Sequence, residues 1–288
     1  MGLQESLASG KFVVTAEVGP PKGTNIEEMM ADAELLRGRV EAINVTDLQS
    51  SVMRLGSLAV CHLLQERGLE PIFQITCRDR NRLALQADLL SASVLGIKNV
   101  LALTGDYASL GDHPQAKPVF DLDSVSLIRV IKKLEAGTDM VGNPLQGAPK
   151  FFVGAVVNPG GNPLEAQIIK MEKKIQAGAS FFQTQAVYDL TSFEKFIKRV
   201  APFKVPVLAG IIMLKSAGMA RFMNKNVAGV FVPEPLIQRM AKAEDRVKTS
   251  IEIAAELIKE LKGMCQGVHI MPIGWESKVP ALLDAANL

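Results

Sequence analysis

"NPLEAQIIKMEKKIQAGASFFQTQAVY", residues 162–188, changes period in its middle. The first part opens on Asn162-Pro163, a pair suited to starting a helix. Leu164, Ile168, Met171 and Ile175 then recur three or four residues apart, and Gly178 supplies a stop. The second part, "SFFQTQAVY" at 180–188, is short and aromatic, the composition of a strand. Gln183 and Gln185 stand two apart and share one face of that strand. A helix feeding directly into a buried strand is one unit of an alternating α/β chain.

The same unit recurs in both directions. Short apolar, often β-branched runs stand at 12–18 ("FVVTAEV"), 41–47 ("EAINVTD"), 71–77 ("PIFQITC"), 99–106 ("NVLALTGD"), 150–158 ("KFFVGAVVN"), 180–188, 205–213 ("VPVLAGIIM") and 267–273 ("GVHIMPI"), with helical spacing between them. One helix is expected in "NIEEMMADAELLRG", with Asn25 as cap and Gly38 as stop. Eight such units predict an α/β fold, a single (β/α)8 TIM barrel over 1–288. The competing architecture is a doubly wound open sheet. Against it, no Pro-, Gly- or Ser-rich linker divides the chain and no GxGxxG follows the first strand. Segments 107–122 and 137–149 read as long loops around the fourth barrel helix, the first of them on the active-site side.

Bulk composition narrows the partners. Lys plus Arg number 32 against 30 Asp plus Glu, a formal +2, with no run of like charge. This excludes the electrostatic footprint of a nucleic-acid or anionic-membrane binder and points to a small molecule. Cys61, Cys77 and Cys265 are far apart and odd in number, which fits reduced thiols in a cytoplasmic protein. The N-terminal "MGLQESLASGK" lacks a basic and an apolar region, and no apolar run is long enough to span a bilayer.

In a barrel of this kind the working groups sit at the C-terminal ends of the strands. The polar residues there are Glu17, Asp47, Gln74 with Thr76, Asp106, Asn158, and Gln183 with Gln185. Asp47 and Asp106 equally suit loop starts or helix caps, and one of the two glutamines suits a polar layer inside the barrel. Glu17 is harder to dismiss, because burying an ionised carboxylate among Val, Ala and Gly costs several kcal/mol. It should be protonated or paired, and a raised pKa suits a general acid. His62 and His269 read as structural, and three scattered histidines without acidic partners make a poor metal site, so no metal is expected.

With these residues in place, the chain resembles methylenetetrahydrofolate reductase over nearly its whole length, as the catalytic barrel alone. The landmarks are the Glu17 strand followed by Pro20-Pro21, "ITC" at 75–77, "LALTGD" at 101–106, "KKIQAGASFFQTQAVYD" at 173–189 and "VPVLAGI" at 205–211. The resemblance implies a flavoprotein that reduces 5,10-methylenetetrahydrofolate to 5-methyltetrahydrofolate by hydride transfer. Glu17 matches the general acid that protonates the departing amine as the imidazolidine ring opens. Asp106 matches an aspartate beside flavin and pterin, Gln185 a folate ligand with Gln183 beside it, and Thr46 and Lys174 flavin contacts. Asp47, Gly105 and His113 fall in the same neighbourhood, His113 on the covering loop with Asp112. Gln74, Thr104, Asn158, Asn162 and Gln167 stand where the better-known bacterial pattern has His, Arg, Tyr, His and Asp. FAD is the implied cofactor, with FMN as the alternative.

The electron donor is either NAD(P)H or a partner iron-sulfur protein. "VPEPLIQRMAKAEDRVKTSIEIAAELIKELK" and "GVHIMPIGWES" resemble chains that work with such a partner, in a hetero-oligomer or homo-oligomer. Trp275 could close the mouth, line the folate site or face a partner. Two other readings stand beside this one: a cofactor-free (β/α)8 lyase or aldolase, and a non-catalytic folate-binding subunit.

Overall fold

Eight parallel strands close on themselves in sequence order in the computed structural model, which describes Met1–Leu288. They are β1 (Val13–Val18), β2 (Ala42–Val45), β3 (Pro71–Thr76), β4 (Asn99–Leu103), β5 (Phe152–Val157), β6 (Phe181–Ala186), β7 (Val207–Ile212) and β8 (Gly267–Met271). The helices are α1 (Leu3–Ala8), α2 (Glu27–Leu35), α3 (Ser57–Glu66), α4 (Arg82–Val94), α5 (Ser124–Glu135), α6 (Leu164–Ala177), α7 (Leu190–Val200), α8 (Ala217–Asn226), α9 (Glu234–Ala241), α10 (Arg246–Leu261) and α11 (Val279–Ala285). The predicted TIM barrel is therefore the observed fold, and the open sheet is not.

Local chemistry sets the helix ends. Asn81, Asp123, Asp189, Ser216 and Asp245 each accept a backbone N–H of the first turn of the helix that follows. Gly178 closes α6 at φ +115°, as its sequence suggested. Asn25, the expected cap of α2, accepts the N–H of Glu27 but stands one position before the observed cap, Ile26. α2 ends at Leu35, three residues short of Gly38. No helix is long and apolar enough to cross a membrane.

The barrel interior is built in layers by the alternation of side chains along each strand. At the N-terminal end of the strands, Val13, Ala42, Ile72, Leu101, Phe181 and Leu208 form an apolar layer, and Leu3 and Leu7 of α1 plug it from below. Gly154 leaves room there for the Phe181 ring, since a Cβ on it would come within 2.3 Å of that ring. The next layer is polar, and above it lies the mouth. The larger apolar cluster fills the space between the outer strand faces and the helices.

Candidate active site at the barrel mouth

Glu17 and Thr15 stand on the inward face of β1. Barrel closure puts Thr15 opposite His269 of β8, while β2 places Asn44 opposite Glu17. Glu17 is 9% exposed. Its Oε1 accepts from Gln74 Nε2 at 3.1 Å and lies 3.3 Å from His269 Nε2. Behind it, His269 Nδ1 lies 2.9 Å from Thr15 Oγ1 and 3.3 Å from Gln183 Nε2. Gln183 and Asn44 exchange two amide hydrogen bonds of 2.9 Å. The carboxyl is thus held by partners, one of the two outcomes its sequence context required. Gln183, 1% exposed, uses its amide inside the barrel, whereas the half-buried Gln185 makes no side-chain hydrogen bond within the protein.

Glu17 also lines a cleft of about 550 Å³ with Thr46, Glu28, Asp32, Arg54, Ile273 and Glu276 among its walls. Burial, together with the charges of Glu276 and Glu28, raises the Asp32 pKa. The Thr46 hydroxyl is buried in this wall and has no hydrogen-bond partner. A polar atom left in that condition is a natural point of attachment for a ligand.

The residues expected around a flavin divide into two groups. Thr46, Gln185 and the exposed Asp106 keep side-chain atoms without protein partners. They fit the hydrogen-bonding edge of a flavin ring. Gln74 is engaged with Glu17. Asp47 is fully enclosed: it accepts from Ser57, from the Thr76 N–H and hydroxyl, and from Arg80 at 2.7 Å and 3.2 Å. Thr104 is tied to Ser124, and Asn158 to the Ala228 carbonyl and the Gly160 N–H. Gln167 packs against Gly161, and Asn162 lines a separate cleft of about 630 Å³ with Tyr188, Asn224 and Phe231. Lys174 donates to the Val156 carbonyl at 2.6 Å. Burial, and secondarily Lys170, pushes its pKa down to about 8. Among the residues expected around a flavin, Lys174 is the one lysine or arginine, position 104 being Thr.

Gly105 turns the chain out of β4 at φ +97°, and a Cβ there would sit 3.0 Å from Arg78 Cβ and 3.2 Å from Thr76 Cβ. The buried Arg78 donates to the carbonyls of Leu48 and Asp106, at 3.3 Å and 3.5 Å, and to Asp79. The covering loop is fastened by Asp112, which accepts from Lys22, the Met53 N–H and His113. Lys22 hydrogen bonding comes first among the causes that hold the Asp112 carboxyl far below the usual range. Exposed His113 makes its one side-chain hydrogen bond to this carboxylate. Trp275 follows β8 at the mouth, and Lys215 lies 5.4 Å from its ring centroid.

Two readings need correction. The histidines do have acidic partners: His62 lies 3.5 Å from Glu66, His113 2.9 Å from Asp112 and His269 3.3 Å from Glu17. Each pair is isolated, and no group of three or more His, Cys, Asp or Glu could hold a metal ion. His269 is more than a filler of its strand, because it touches the candidate acid. The usable signal was its inward parity on β8, the strand that must close against β1.

The family model described as methylenetetrahydrofolate reductase matches residues 2–287. "Methylenetetrahydrofolate reductase 2" of Schizosaccharomyces pombe is 26% identical over 99% of this chain and 47% of its own length, so the chain spans just under half of that relative. The "5,10-methylenetetrahydrofolate reductase" of Salmonella typhimurium is 24% identical over 90% of this chain and 86% of its own. Among solved structures, a Clostridium thermocellum protein that binds two copies of 5-methyl-5,6,7,8-tetrahydrofolic acid superposes with a TM-score of 0.66, at 17% identity, over 99% of this chain and 97% of the other. A 2,3-dimethylmalate lyase superposes with a TM-score of 0.55 at 12% identity, over 99% of this chain and 84% of the other, a likeness of fold. A match from residue 2 to residue 287, on a barrel whose mouth carries Glu17, means that this chain belongs to the methylenetetrahydrofolate reductase family.

Proposed function

We propose that the chain reduces 5,10-methylenetetrahydrofolate to 5-methyltetrahydrofolate, with Glu17 as general acid. The observation that carries this is the asymmetry of the Glu17 carboxyl. Both intramolecular contacts, from Gln74 and His269, fall on Oε1. Oε2 is left to carry the transferable proton, in a side chain that lines the cleft. Delivered to the departing amine nitrogen of the imidazolidine ring, that proton breaks the ring C–N bond and leaves an iminium at N5. Asp106 and Gln185, with side chains free of protein partners, accept and donate hydrogen bonds to the pterin, and the Asp106 charge stabilises the cationic iminium. The Clostridium thermocellum relative of this fold binds the product-type folate, which supports the assignment.

Thr46 and Asp106 would hold the ring of a flavin, FAD before FMN, and Lys174 its phosphate side. When bound and reduced, the flavin supplies the hydride that the iminium carbon accepts. Electrons come from a partner iron-sulfur protein, with NAD(P)H as the alternative donor; the reading is supported by the resemblance of residues 232–262 and 267–277, and with three cysteines this chain cannot itself hold a four-thiolate cluster. The buried free thiols fit a reducing, cytoplasmic setting. The test is spectroscopic. The purified chain loaded with flavin should be bleached by dithionite and regain its colour on adding methylenetetrahydrofolate. A reduced flavin that methylenetetrahydrofolate leaves bleached would refute the activity.

A further inference from the structure

The polar layer beneath Glu17 has a direction. Gln183 donates one Nε2 hydrogen to Asn44 Oδ1 at 2.9 Å, and its second points at Thr15 Oγ1, 3.2 Å, and His269 Nδ1, 3.3 Å. Its Oε1 accepts from Asn44 Nδ2, so neither amide can turn over alone without breaking both bonds. Because a Gln183 N–H also faces Nδ1, a second hydrogen on Nδ1 would meet it, so the Thr15 hydroxyl, whose oxygen receives the Gln183 hydrogen, donates to His269 Nδ1 at 2.9 Å. Nδ1 is then an acceptor, and the ring proton of neutral His269 sits on Nε2, facing Glu17 Oε1 at 3.3 Å. Reversing both amides together would instead leave Nε2 bare, an acceptor that draws the Glu17 proton onto Oε1. Thr15, Asn44, Gln183 and His269 are each more than nine-tenths buried, so water does not compete for the bonds among them.

We propose that the Asn44–Gln183 amide pair is a positioning device: it locks His269 in the Nε2–H tautomer and so keeps the transferable proton of Glu17 on Oε2. Without the lock, His269 would be free to carry its proton on Nδ1 and accept at Nε2. Glu17 would then donate from Oε1 into the barrel interior, and its proton would face away from substrate. The chain of donors ends in two amides, which hold no titratable proton. It is therefore a fixed orienting dipole, and Glu17 is reprotonated from the mouth. This inference rests on Glu17 being the general acid.

The test is nitrogen-15 NMR of the whole chain with labelled histidine, at a pH where the imidazoles are neutral. His269 is assigned by the loss of its signals in His269→Asn. A protonated Nε2 and bare Nδ1 are expected in the parental protein, and a protonated Nδ1 there would overturn the proposal whatever any variant does. In Asn44→Leu/Gln183→Met an Nδ1–H population should appear. Reoxidation of the dithionite-reduced, flavin-loaded variant by methylenetetrahydrofolate should slow several-fold in kcat, within the about 10²–10⁴-fold that a general acid contributes, with KM changed by less than about twofold. A folded double variant with parental tautomer and parental kcat would also overturn it. Failure of the general-acid reading is visible separately, as parental turnover in Glu17→Gln with the tautomer of His269 intact.

Discussion

Three residues at the mouth invite direct tests. Glu17→Gln keeps shape and hydrogen bonding but carries no transferable proton. Folate turnover should fall on the order of 10²–10⁴-fold while chemical reduction of the bound flavin persists, and stopped-flow measurement of the two half-reactions separates these effects. Asp106→Asn removes an exposed negative charge that nothing in the protein neutralises. The flavin should become easier to reduce and folate binding weaker; an unchanged potential in the folded variant would place Asp106 away from the ring. Lys174, at about 8 against an ordinary 10.5, binds fewer protons in the folded chain than in the unfolded one between those values. Stability should therefore rise with pH across that window, and Lys174→Met should flatten the rise in denaturant titrations at each pH. Glu17 was legible in the sequence because a lone carboxylate in an apolar strand demands an explanation. His269 was not, since 252 residues separate it from its partner and only ring closure joins them.

Among the elements, the end of β2, the end of β3, the start of α3 and the loop before α4 meet at Asp47. Its side chain is 0% exposed, and Ser57, Thr76 and Arg80 all donate to it. Arg80→Met leaves a buried carboxylate without its counter-charge and should cost about 3–5 kcal/mol in equilibrium unfolding, more than Asp47→Asn/Arg80→Met costs. The loop-start reading of Asp47 came close, because the residue does follow β2, but its real work is to tie neighbouring strands and helices together. Strand cores were readable to within a residue or two from their apolar runs. Their C-terminal ends were not: "NVLALTGD" leaves the ladder after Leu103, where Gly105 must adopt a left-handed turn that no periodicity announces. Of the flavin-side residues expected from resemblance, Thr104 and Asn158 face protein partners that a linear pattern does not reveal.

The molecule as a whole is a closed ring, and alternation of elements was enough to predict that ring. Which polar groups would share its interior depended on register, which the linear pattern does not supply. At this scale the donor question is decided by anaerobic mixing of the flavin-loaded chain with NADH and, separately, with NADPH. No bleaching is expected, with reduction restored by an iron-sulfur partner; rapid bleaching by either nucleotide would reject the partner-dependent reading. The Asp112 fastening carries one more consequence. A single exposed carboxylate stitches the loops after β1, β2 and β4 together across the mouth through Lys22, Met53 and its neighbour His113. Attraction between solvent-facing charges fades as ionic strength rises, with a screening length of about 8 Å near physiological salt and about 3 Å at 1 M. Substrate entry should accordingly quicken with added potassium chloride in the parental chain but not in Asp112→Asn, so that the saltiness of the medium itself sets how readily the mouth admits its guest.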